Sequence, residues 1–242
     1  MRGIATIVWG LVLAASLCGA EPPAKILDLS RWKLTLPVDT DRPGRPDEIQ
    51  QPELDSFVDS ARFFVNDSAD GVVFRAHCGG STTKRSGYPR CELREMSDRG
   101  ETPAAWGTDD GASHTMTLRL AITNTPAVKQ HVVACQIHDS HDDVMMVRLE
   151  KKKLFIERNK VGDVELDPDY ALGTPFDLKI QAGDGSIKVW HEGVLKMDWK
   201  VSRTGCYFKA GCYTQSNLDR GDAPDSYGEV VIYRLQVDHR NP

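Results

Sequence analysis

The sequence predicts an all-β domain, either a sandwich or a jelly roll, and three observations support this prediction. Short runs of strand-forming residues recur along the chain, and turn residues separate them. Hardly any stretch has the 3.6-residue hydrophobic period of a long helix. The 242 residues also suit one undivided domain, because all-β sandwiches commonly reach this length.

Turn signals divide the chain into its predicted elements. Before the first strong run, Arg42–Pro52 is predicted to be a loop rich in proline and charge, and the sequence allows a short helix near Ser56–Phe63. Gly183–Ser186 is a clear hairpin signal, Glu192-Gly193 turns the chain again, and Asp163–Asp169 is predicted to be a solvated loop. In chain order, the predicted strands are Gly71–Ala76, Thr115–Ile122, Val132–His138, Val144–Leu149, Leu154–Glu157, Asp177–Ala182, Ile187–His191, Val194–Trp199 and Tyr227–Val237.

The first 20 residues have the pattern of a secretory signal peptide. A positive Met1-Arg2 precedes the apolar run from Ile4 to Leu17, and Cys18-Gly19-Ala20 offers a small-residue cleavage site. A membrane anchor is the alternative, but this run is shorter than the roughly 20 residues that a span requires. We therefore expect cleavage after Ala20, a secreted protein and a mature domain of residues 21–242.

Export would place the mature chain where disulfides can form. Removal of Cys18 leaves five of the six cysteines, so at least one thiol has no partner within the chain. Cys78 and Cys91 flank a loop rich in Gly, Ser and Thr, and they are the candidate pair for a bridge. Cys206 and Cys212 are roughly 20 Å apart on a straight strand, and could pair only if that strand bends or begins after Cys206. No C-x-x-C spacing suggests a zinc site.

The overall charge argues against a general attraction for polyanions. The formal net charge is −5, and removal of Arg2 with the leader makes it −6. A polyanionic partner would therefore need a local basic patch. Nucleic acid is a poor candidate for that partner, because the domain is not basic and its basic segments contain few interleaved aromatic residues.

Three distant segments carry polar side chains at every second position: Arg90–Arg94, Gln136–His138 and Tyr207–Gln215. On β-strands, alternate residues share a face, and the residues between them point into the core. Cations, an amide, an imidazole and a phenol on one open face can hold a polyanion and move protons. The residues predicted to share this face are Arg90, Glu92, Arg94, Gln136, His138, Tyr207, Lys209, Tyr213 and Gln215.

The same segments resemble the signature motifs of the family 7 polysaccharide lyases, which are alginate lyases with a β-jelly-roll fold. The matching stretches are RCELRE from Arg90, QIH from Gln136 and YFKAGCYTQ from Tyr207, with further likeness at Trp32–Pro37 and Thr82-Thr83. The resemblance implies a concanavalin-like jelly-roll sandwich of two antiparallel sheets, with a concave groove on one sheet. It also implies a secreted, monomeric enzyme that binds alginate, with no cofactor, metal, nucleic acid or membrane among its partners.

The resemblance assigns roles to the groove residues. Arg90 and Gln136 would bind and neutralise the carboxylate of a uronate, and Glu92, counted among the substrate-binding residues, would support the arginine fork. His138 would be the general base, and Tyr213 would be the acid that protonates the leaving oxygen. The phenol of Tyr213 is expected to be held by neighbours such as His138 and Lys209. The residues expected to bind neighbouring uronates are Arg94, Lys209 and Gln215.

Each of these residues also has an ordinary structural interpretation. An R-x-E-x-R triplet is usually an exposed ion pair, a lone histidine at a strand end is usually structural, and a strand tyrosine is usually half-buried. Their shared placement on one face favours the catalytic interpretation. His138–Asp143 could also be read as a metal cluster, but His138 belongs to the groove by alternation, and the rest is expected to be a polar loop without a metal.

The activity expected from the resemblance is β-elimination of alginate, and the QIH variant points to guluronate-containing blocks. A glycoside hydrolase on the same fold is one alternative, but it needs two groove carboxylates roughly 5–9.5 Å apart, and these segments supply only Glu92. A non-catalytic carbohydrate-binding module is a second alternative, which would not need His138 and Tyr213 together. Ultraviolet absorbance separates the three, because only a lyase product carries a conjugated enuronate.

Overall fold

The computed structural model packs two antiparallel β-sheets face to face and describes residues 20–84 and 86–241. The predicted signal peptide, apart from Ala20, lies outside the described residues. No helix in the described part of the chain is long and apolar enough to cross a membrane. The short 3₁₀ helices there are Pro23–Lys25, Glu53–Asp55, Asp98–Gly100 and Leu218–Arg220. The strands are β1 (Trp32–Thr35), β2 (Glu48–Ile49), β3 (Phe63–Val65), β4 (Val72–His77), β5 (Arg90–Ser97), β6 (Thr102–Pro103), β7 (Ser113–Asn124), β8 (His131–His138), β9 (Asp143–Glu150), β10 (Lys153–Glu157), β11 (Val164–Asp167), β12 (Phe176–Gly183), β13 (Ser186–His191), β14 (Val194–Lys200), β15 (Tyr207–Tyr213) and β16 (Tyr227–Arg240).

The larger sheet carries the three segments of the predicted groove. Its nine strands run in the order β11-β10-β9-β8-β15-β5-β1-β2, and β6 pairs with β5 beside this path. The seven strands of the second sheet run in the order β14-β13-β12-β7-β16-β4-β3. Every pairing among these strands is antiparallel. This arrangement confirms the predicted sandwich of two antiparallel sheets.

Apolar side chains from both sheets meet between them, because alternate residues of each strand point inward. Phe208 of β15 contributes from the larger sheet, Phe74 of β4 and Met116 of β7 contribute from the smaller one, and all three are fully buried. Phe63 packs edge-to-face on Phe74, with ring centroids 5.1 Å apart. Burial of one such side chain contributes about 1.5–3 kcal/mol, so this core holds the strands of the groove in place.

The tight hairpins follow from local sequence. The predicted hairpin is confirmed, because Gly183 pairs with Ser186 and the two turn residues Asp184 and Gly185 have φ of 51° and 63°. Positive φ at both positions gives the primed turn, whose twist matches that of the paired strands. The nine predicted strands are also confirmed, with ends that differ from the observed ones by at most three residues.

Three local predictions are wrong. The residues Ser56–Phe63 form no helix, because the chain turns there and enters β3. The predicted loop Arg42–Pro52 contains β2, which pairs with β1, and the predicted loop Asp163–Asp169 contains β11, which pairs with β10. Both are short strands at the two edges of the larger sheet. Their pairing depends on a neighbouring strand rather than on a local hydrophobic pattern.

The five cysteines of the described chain are buried free thiols. The bridge expected between Cys78 and Cys91 is therefore not formed. Alternation explains this, because Cys91 points into the core from β5, where it lies opposite Cys212 of β15 and its Sγ donates to the carbonyl oxygen of Arg62. Cys206 precedes β15 and is not bonded to Cys212, so that candidate pair does not form either.

Candidate active site

Three neighbouring strands turn one face of the larger sheet into a groove. β15 lies between β8 and β5 and is antiparallel to both. Lys209 is at the centre, because its register partners are Gln136 on β8 and Arg94 on β5. The other register pairs across β15 are Tyr207 with His138, Gly211 with Glu92, and Tyr213 with Arg90. Segments far apart in the sequence therefore meet here side by side.

The groove is an open cavity of about 440 Å³. It is bordered by β1 and β2, by the connection from β4 to β5 and by the connection from β8 to β9. From the predicted face, the structure brings together Arg90, Arg94, Gln136, His138, Tyr207, Lys209 and Tyr213. Residues outside the predicted set line it as well: Lys33, Thr35, Glu48, Thr83, Lys84, Ser86, Ser140, His141, Asp142 and Asp143.

Glu92 lies beneath the groove floor, and only 1% of the residue is exposed. Its carboxylate accepts hydrogen bonds from Gln136 Nε2 at 2.5 Å and Arg90 Nη1 at 3.0 Å, and it pairs with Lys209 Nζ at 2.5 Å. Burial would raise the pKa of Glu92, but Lys209 and Arg90 outweigh it and hold that pKa below its ordinary value. Glu92 is thus a buried anion that orients three groove side chains. This corrects its predicted place among the substrate-binding residues.

Lys209 is the buried cation at the centre of the groove floor. Burial lowers the pKa of Lys209 to about 8, although the adjacent carboxylate of Glu92 acts in the opposite direction. The guanidinium groups of Arg90 and Arg94 lower this pKa further, because nearby like charges disfavour the ammonium form. The positive charge of Lys209 is therefore lost as the pH rises through about 8.

A β-bulge in β15 precedes Tyr213. Ala210 and Tyr213 are three residues apart, but their partners on β8 are only two apart, so β15 carries one extra residue. Gly211 lies in this bulge with φ of 136°, and a Cβ there would sit 2.6 Å from the carbonyl oxygen of Cys91. Only glycine fits such a close approach. Register with β5 is unbroken, so Tyr213 stays on the groove face.

His138 is held with one ring nitrogen occupied. Its Nδ1 lies 2.6 Å from the carbonyl oxygen of Asp139, and a carbonyl only accepts, so Nδ1 carries the proton and donates. The hydroxyl of Tyr207 lies 3.1 Å from the same nitrogen, and the two rings stack with centroids 5.3 Å apart. Burial lowers the pKa of His138. In the neutral ring, Nε2 is then the unprotonated nitrogen and can act as a base.

Tyr213 has a partner that the sequence did not indicate. Its hydroxyl lies 2.9 Å from Ser86 Oγ, in the connection from β4 to β5, and the guanidinium carbon of Arg90 lies 3.9 Å from the ring centroid. The expectation that His138 and Lys209 hold this phenol is therefore corrected. Burial raises the pKa of Tyr213, while Arg90 and the Ser86 hydrogen bond act to lower it.

Two other predicted binding residues, Arg94 and Gln215, lie in different positions relative to the groove. Arg94 lies in the groove, where its guanidinium carbon is 4.1 Å from the ring centroid of Tyr207. Gln215 does not line the cavity, although alternation placed it on the same face. It follows the end of β15 with φ of 49°, and this left-handed conformation breaks the alternation. Gln215 is 8% exposed and is withdrawn from the predicted groove face.

Carboxylates line the groove as well, which the three segments did not predict. Burial and the neighbouring Asp142 raise the pKa of Asp143 to about 6, and Asn159 Nδ2 donates to Asp143 Oδ2 at 2.8 Å. Glu48 of β2 is paired with Lys33 Nζ at 2.6 Å. A hydrolase needs an acid whose pKa is raised and a second free carboxylate at a fixed distance. Glu92, the carboxylate that the segments supply, is instead held as an anion beneath the floor.

A second cavity of about 530 Å³ continues the groove past β2. It shares Thr35, Glu48, Thr83 and Lys84 with the groove. Its other lining residues are Asp41, Arg42, Gly44, Arg45, Pro46 and Gln50. The predicted loop before β2 thus adds two arginines to the basic surface, which sequence reasoning missed because the loop resembles any solvated connection.

The histidine-rich loop after β8 is built as a polar turn. Ser140 Oγ lies 2.8 Å from His141 Nδ1, and the carboxylate of Asp139 accepts from the backbone N–H of His141 and Asp142. In the part of the chain that the structure describes, no group of three His, Cys, Asp or Glu side chains is arranged to hold a metal ion.

Comparison with known proteins identifies the family. The family model described as alginate lyase matches residues 27–239, which is most of the chain. A solved alginate lyase of polysaccharide lyase family 7, AlgAT5, is 53% identical with a TM-score of 0.88, and the match covers 91% of this chain and all of that one. This chain belongs to the alginate lyases of polysaccharide lyase family 7.

Other alginate lyases are similar over different lengths. The crystal structure of the enzyme from Corynebacterium sp. is 44% identical with a TM-score of 0.86, and the match covers 91% of this chain and 99% of that one. An alginate lyase from Klebsiella pneumoniae is 37% identical over 103 residues, which are 39% of this chain and 34% of that protein. The match thus spans about a third of the length of that relative.

One more distant family 7 enzyme has been crystallised with sugars. Alginate lyase A1-II' is 26% identical to this chain with a TM-score of 0.77, and structures of its variants contain a product written GGG and a substrate written GGMG. The match to the substrate complex covers 93% of this chain and 99% of that one.

Proposed function

We propose that this protein is a secreted alginate lyase that cleaves the 4-O-glycosidic bond by β-elimination. The observation that carries the proposal is the combination, in one basic groove, of a histidine with an unprotonated Nε2 and a half-buried phenol beside an arginine. β-Elimination needs three functions together: a group that neutralises the uronate carboxylate, a base for H5 and an acid for O4. His138, Tyr213 and Arg90 supply these chemistries.

Arg90 and Gln136 are the donors proposed for the uronate carboxylate. Arg90 Nη1 donates a hydrogen bond to Glu92, and the buried Nε of Arg90 has no hydrogen-bond partner among the described residues. A guanidinium has five N–H donors, so Arg90, which lines the cavity, retains others for a substrate carboxylate. Gln136 donates one amide hydrogen to Glu92 and retains a second. Neutralising the carboxylate makes H5 acidic enough for a weak base to remove.

The proton transfers follow from the two ring environments. Nε2 of His138 takes H5, and the C5–H electron pair forms the C4=C5 double bond. The C4–O4 bond breaks, and the leaving O4 takes the proton of the Tyr213 hydroxyl. Solvent then returns a proton to Tyr213 and removes the one on His138. The shortened chain ends in an unsaturated 4-deoxy-enuronate, which absorbs ultraviolet light.

Basic side chains beyond the reacting centre would bind the neighbouring uronates. Lys33, Lys84 and Arg94 line the groove, and Arg42 and Arg45 line the adjoining cavity. Together they form a local basic surface on a chain whose formal net charge is −5. Such a surface concentrates a polyanion even when the overall charge does not attract it.

We also propose a preference for guluronate-containing blocks. In mannuronate, H5 and O4 lie on the same side of the ring, so one group such as Tyr213 can serve as both base and acid. In guluronate they lie on opposite sides, so a second group must remove H5. His138 is half-buried and is held by Asp139 and Tyr207, and its unprotonated Nε2 is the proposed base for that task.

The test compares two variants on purified polyguluronate and polymannuronate. Tyr213→Phe should abolish cleavage of both polymers, because the leaving oxygen loses its acid either way. His138→Asn should lower the rate on polyguluronate roughly 10²–10⁴-fold, and more steeply than the rate on polymannuronate. Initial rates of ultraviolet absorbance increase measure both. Tyr233→Phe and His77→Asn, which lie on the other sheet, are the matched controls and should match wild type.

Three outcomes would contradict parts of this proposal. Cleavage without ultraviolet absorbance would indicate a hydrolase, and binding without cleavage would indicate a carbohydrate-binding module. An equal fall on both polymers for His138→Asn would mean that His138 orients or neutralises the substrate instead of removing H5. Export is a separate proposal: the secreted protein should begin at Glu21 and should elute as a monomer.

A further inference from the structure

The hydroxyl of Ser86 has no role in the reaction as derived so far, yet it contacts the proposed acid. Ser86 lies in the connection from β4 to β5 and lines the groove. Its Oγ lies 2.9 Å from the Tyr213 hydroxyl, 3.1 Å from the backbone nitrogen of Tyr88 and 3.2 Å from the carbonyl oxygen of Tyr88. The oxygen is thus fixed by its own turn before it meets the phenol.

Counting donors and acceptors limits what this hydroxyl can do. A serine hydroxyl has one hydrogen and two lone pairs. The N–H of Tyr88 takes one lone pair, and the hydrogen can point either to the Tyr88 carbonyl or to the Tyr213 oxygen. In the first orientation Ser86 Oγ accepts a hydrogen bond from the Tyr213 hydroxyl, and in the second it donates one to the phenol oxygen. Rotation about one bond interchanges the two states.

The second orientation is the one that the reaction needs. When the Tyr213 proton moves to the leaving oxygen, the phenol oxygen becomes negative in a half-buried site. A hydrogen bond to a charged oxygen is roughly twice as strong as one between neutral groups. Ser86 can supply that bond without losing its own proton, and Arg90 lies over the ring at 3.9 Å.

We propose that Ser86 is a positioning residue for Tyr213: its hydroxyl holds the phenol toward the leaving oxygen and donates to the phenolate that forms. The inference rests on the proposed role of Tyr213 as the acid. Burial raises the pKa of Tyr213, and Ser86 and Arg90 oppose that effect. Ser86 contacts the phenol oxygen and Arg90 contacts the phenol ring, so two groups on different elements make this half-buried phenol a usable acid.

The kinetic test uses Ser86→Ala, Ser86→Thr and a control in the same loop. Ser86→Ala should lower kcat on the order of tenfold to a hundredfold with KM little changed, because the lost bond strengthens as the phenolate forms. Ser86→Thr keeps the hydroxyl and should restore most of the loss. Ser81→Ala, five positions earlier and outside the groove lining, should match wild type. A rise in KM with unchanged kcat would overturn the proposal, because it would indicate a substrate contact only.

A spectroscopic titration tests the bond without turnover. Tyrosinate absorbance is measured against pH for each protein, and the curve of the same protein carrying Tyr213→Phe is subtracted to isolate the Tyr213 signal. Ser86→Ala should move the ionisation of Tyr213 to higher pH, whereas Ser86→Thr and Ser81→Ala should leave it in place. An unmoved ionisation in Ser86→Ala would overturn the proposal.

The same variants separate this inference from the proposed function. Full activity of Tyr213→Phe would refute the acid assignment, whatever Ser86→Ala does. An inactive Tyr213→Phe, together with a Ser86→Ala that equals wild type in kcat and in the titration, would overturn the role of Ser86 alone. Loss of kcat in Ser86→Ala that Ser86→Thr restores, with a shifted ionisation, supports both.

Discussion

Two glutamates on β5 are equally buried and serve opposite sides of the sheet. Glu92 and Glu95 are three residues apart, each is 1% exposed, and alternation sends their side chains in opposite directions. The partners of Glu92 are the groove side chains Gln136, Arg90 and Lys209. Glu95 instead faces the space between the two sheets, where its partners are mostly structural.

Glu95 ties the two sheets together at one end of the sandwich. Its Oε2 accepts from Trp106 Nε1 at 2.9 Å and from the backbone N–H of Phe208 in β15 at 2.8 Å. Its Oε1 lies 2.6 Å from Nε2 of His239, which belongs to β16 of the other sheet. His239 continues to His114 of β7, with their Nδ1 atoms 2.7 Å apart. This carboxylate thus connects a groove strand to the opposite sheet.

The comparison shows that burial alone does not tell the function of a carboxylate. The groups that donate hydrogen bonds to the carboxylate determine its function. Around Glu92 they are long side chains with one end at an open groove, so the anion orients groups that act on a ligand. Around Glu95 they are a backbone amide, an indole and an imidazole packed between sheets, so the anion stabilises the fold. Substituting each glutamate by glutamine should therefore separate activity from stability.

Of the two glutamate variants, Glu92→Gln should have the larger effect on activity. The amide cannot balance the charges of Arg90 and Lys209, and Gln136 loses its charged acceptor, so all three side chains move from their positions. Misplacement by about 1 Å costs about 10²-fold in rate, so we expect kcat/KM on polyguluronate to fall by about that factor. The melting temperature should change less than in Glu95→Gln, because Lys209 and Arg90 border the groove and can regain water.

Glu95→Gln should show the opposite pattern. A glutamine oxygen can still accept from Trp106 Nε1 and the backbone N–H of Phe208, but its NH₂ group then faces His239 Nε2, which has to change from donor to acceptor. The variant also loses the charge that strengthens all three hydrogen bonds, so we expect it to lose about 1–3 kcal/mol of unfolding free energy. Chemical denaturation measures this loss, and kcat at a temperature where the variant is folded should stay within a few-fold of wild type. A variant as stable as wild type but inactive would refute the division of roles.

Alternation along three strands was enough to predict most of the groove, but not the depth of its members. The structure brings seven of the nine predicted residues into the cavity. Glu92 shares their face, yet it lies beneath the floor because Lys209 and Gln136, from neighbouring strands, close over it. The face of a side chain is a property of its own strand. Its depth depends on which strands pair beside it, and sequence patterns do not specify that.

Loops and strand ends account for the other misses. Ser86 reaches Tyr213 from a connection between sheets, and no periodicity relates the two positions. Gln215 leaves the predicted face because its φ becomes positive just after β15 ends. Tyr207 was placed on the correct face, but its contact with His138 depends on the register between β15 and β8. The contacts of Ser86 and Tyr207 are thus tertiary, whereas Gln215 was missed because of its local backbone conformation at a strand end.

The smallest predicted effect is on the pH dependence of turnover. His138 must be neutral to accept H5, and burial holds its pKa below the ordinary 6.5, so kcat/KM should fall only as the pH drops below about 6.5. Asp143, whose pKa is raised to about 6, titrates in the same range with the opposite sign, because its ionisation adds negative charge to the groove. Asp143→Asn should therefore keep the fall of kcat/KM at low pH, which is the acid limb of the pH profile. Its persistence would assign this limb to His138.

The two glutamates should act differently on this limb. The negative charge of Glu92 raises the pKa of His138 against the dominant effect of burial, whereas Glu95 faces the other side of the sheet. Glu92→Gln should move the acid limb to lower pH, because the pKa of His138 loses the raising effect of that charge. Glu95→Gln should leave it in place. Profiles of kcat/KM against pH for wild type and both variants, at constant ionic strength, measure the difference. Equal shifts in the two variants would mean that His138 responds to loosening of β5 as a whole rather than to the charge beneath the groove.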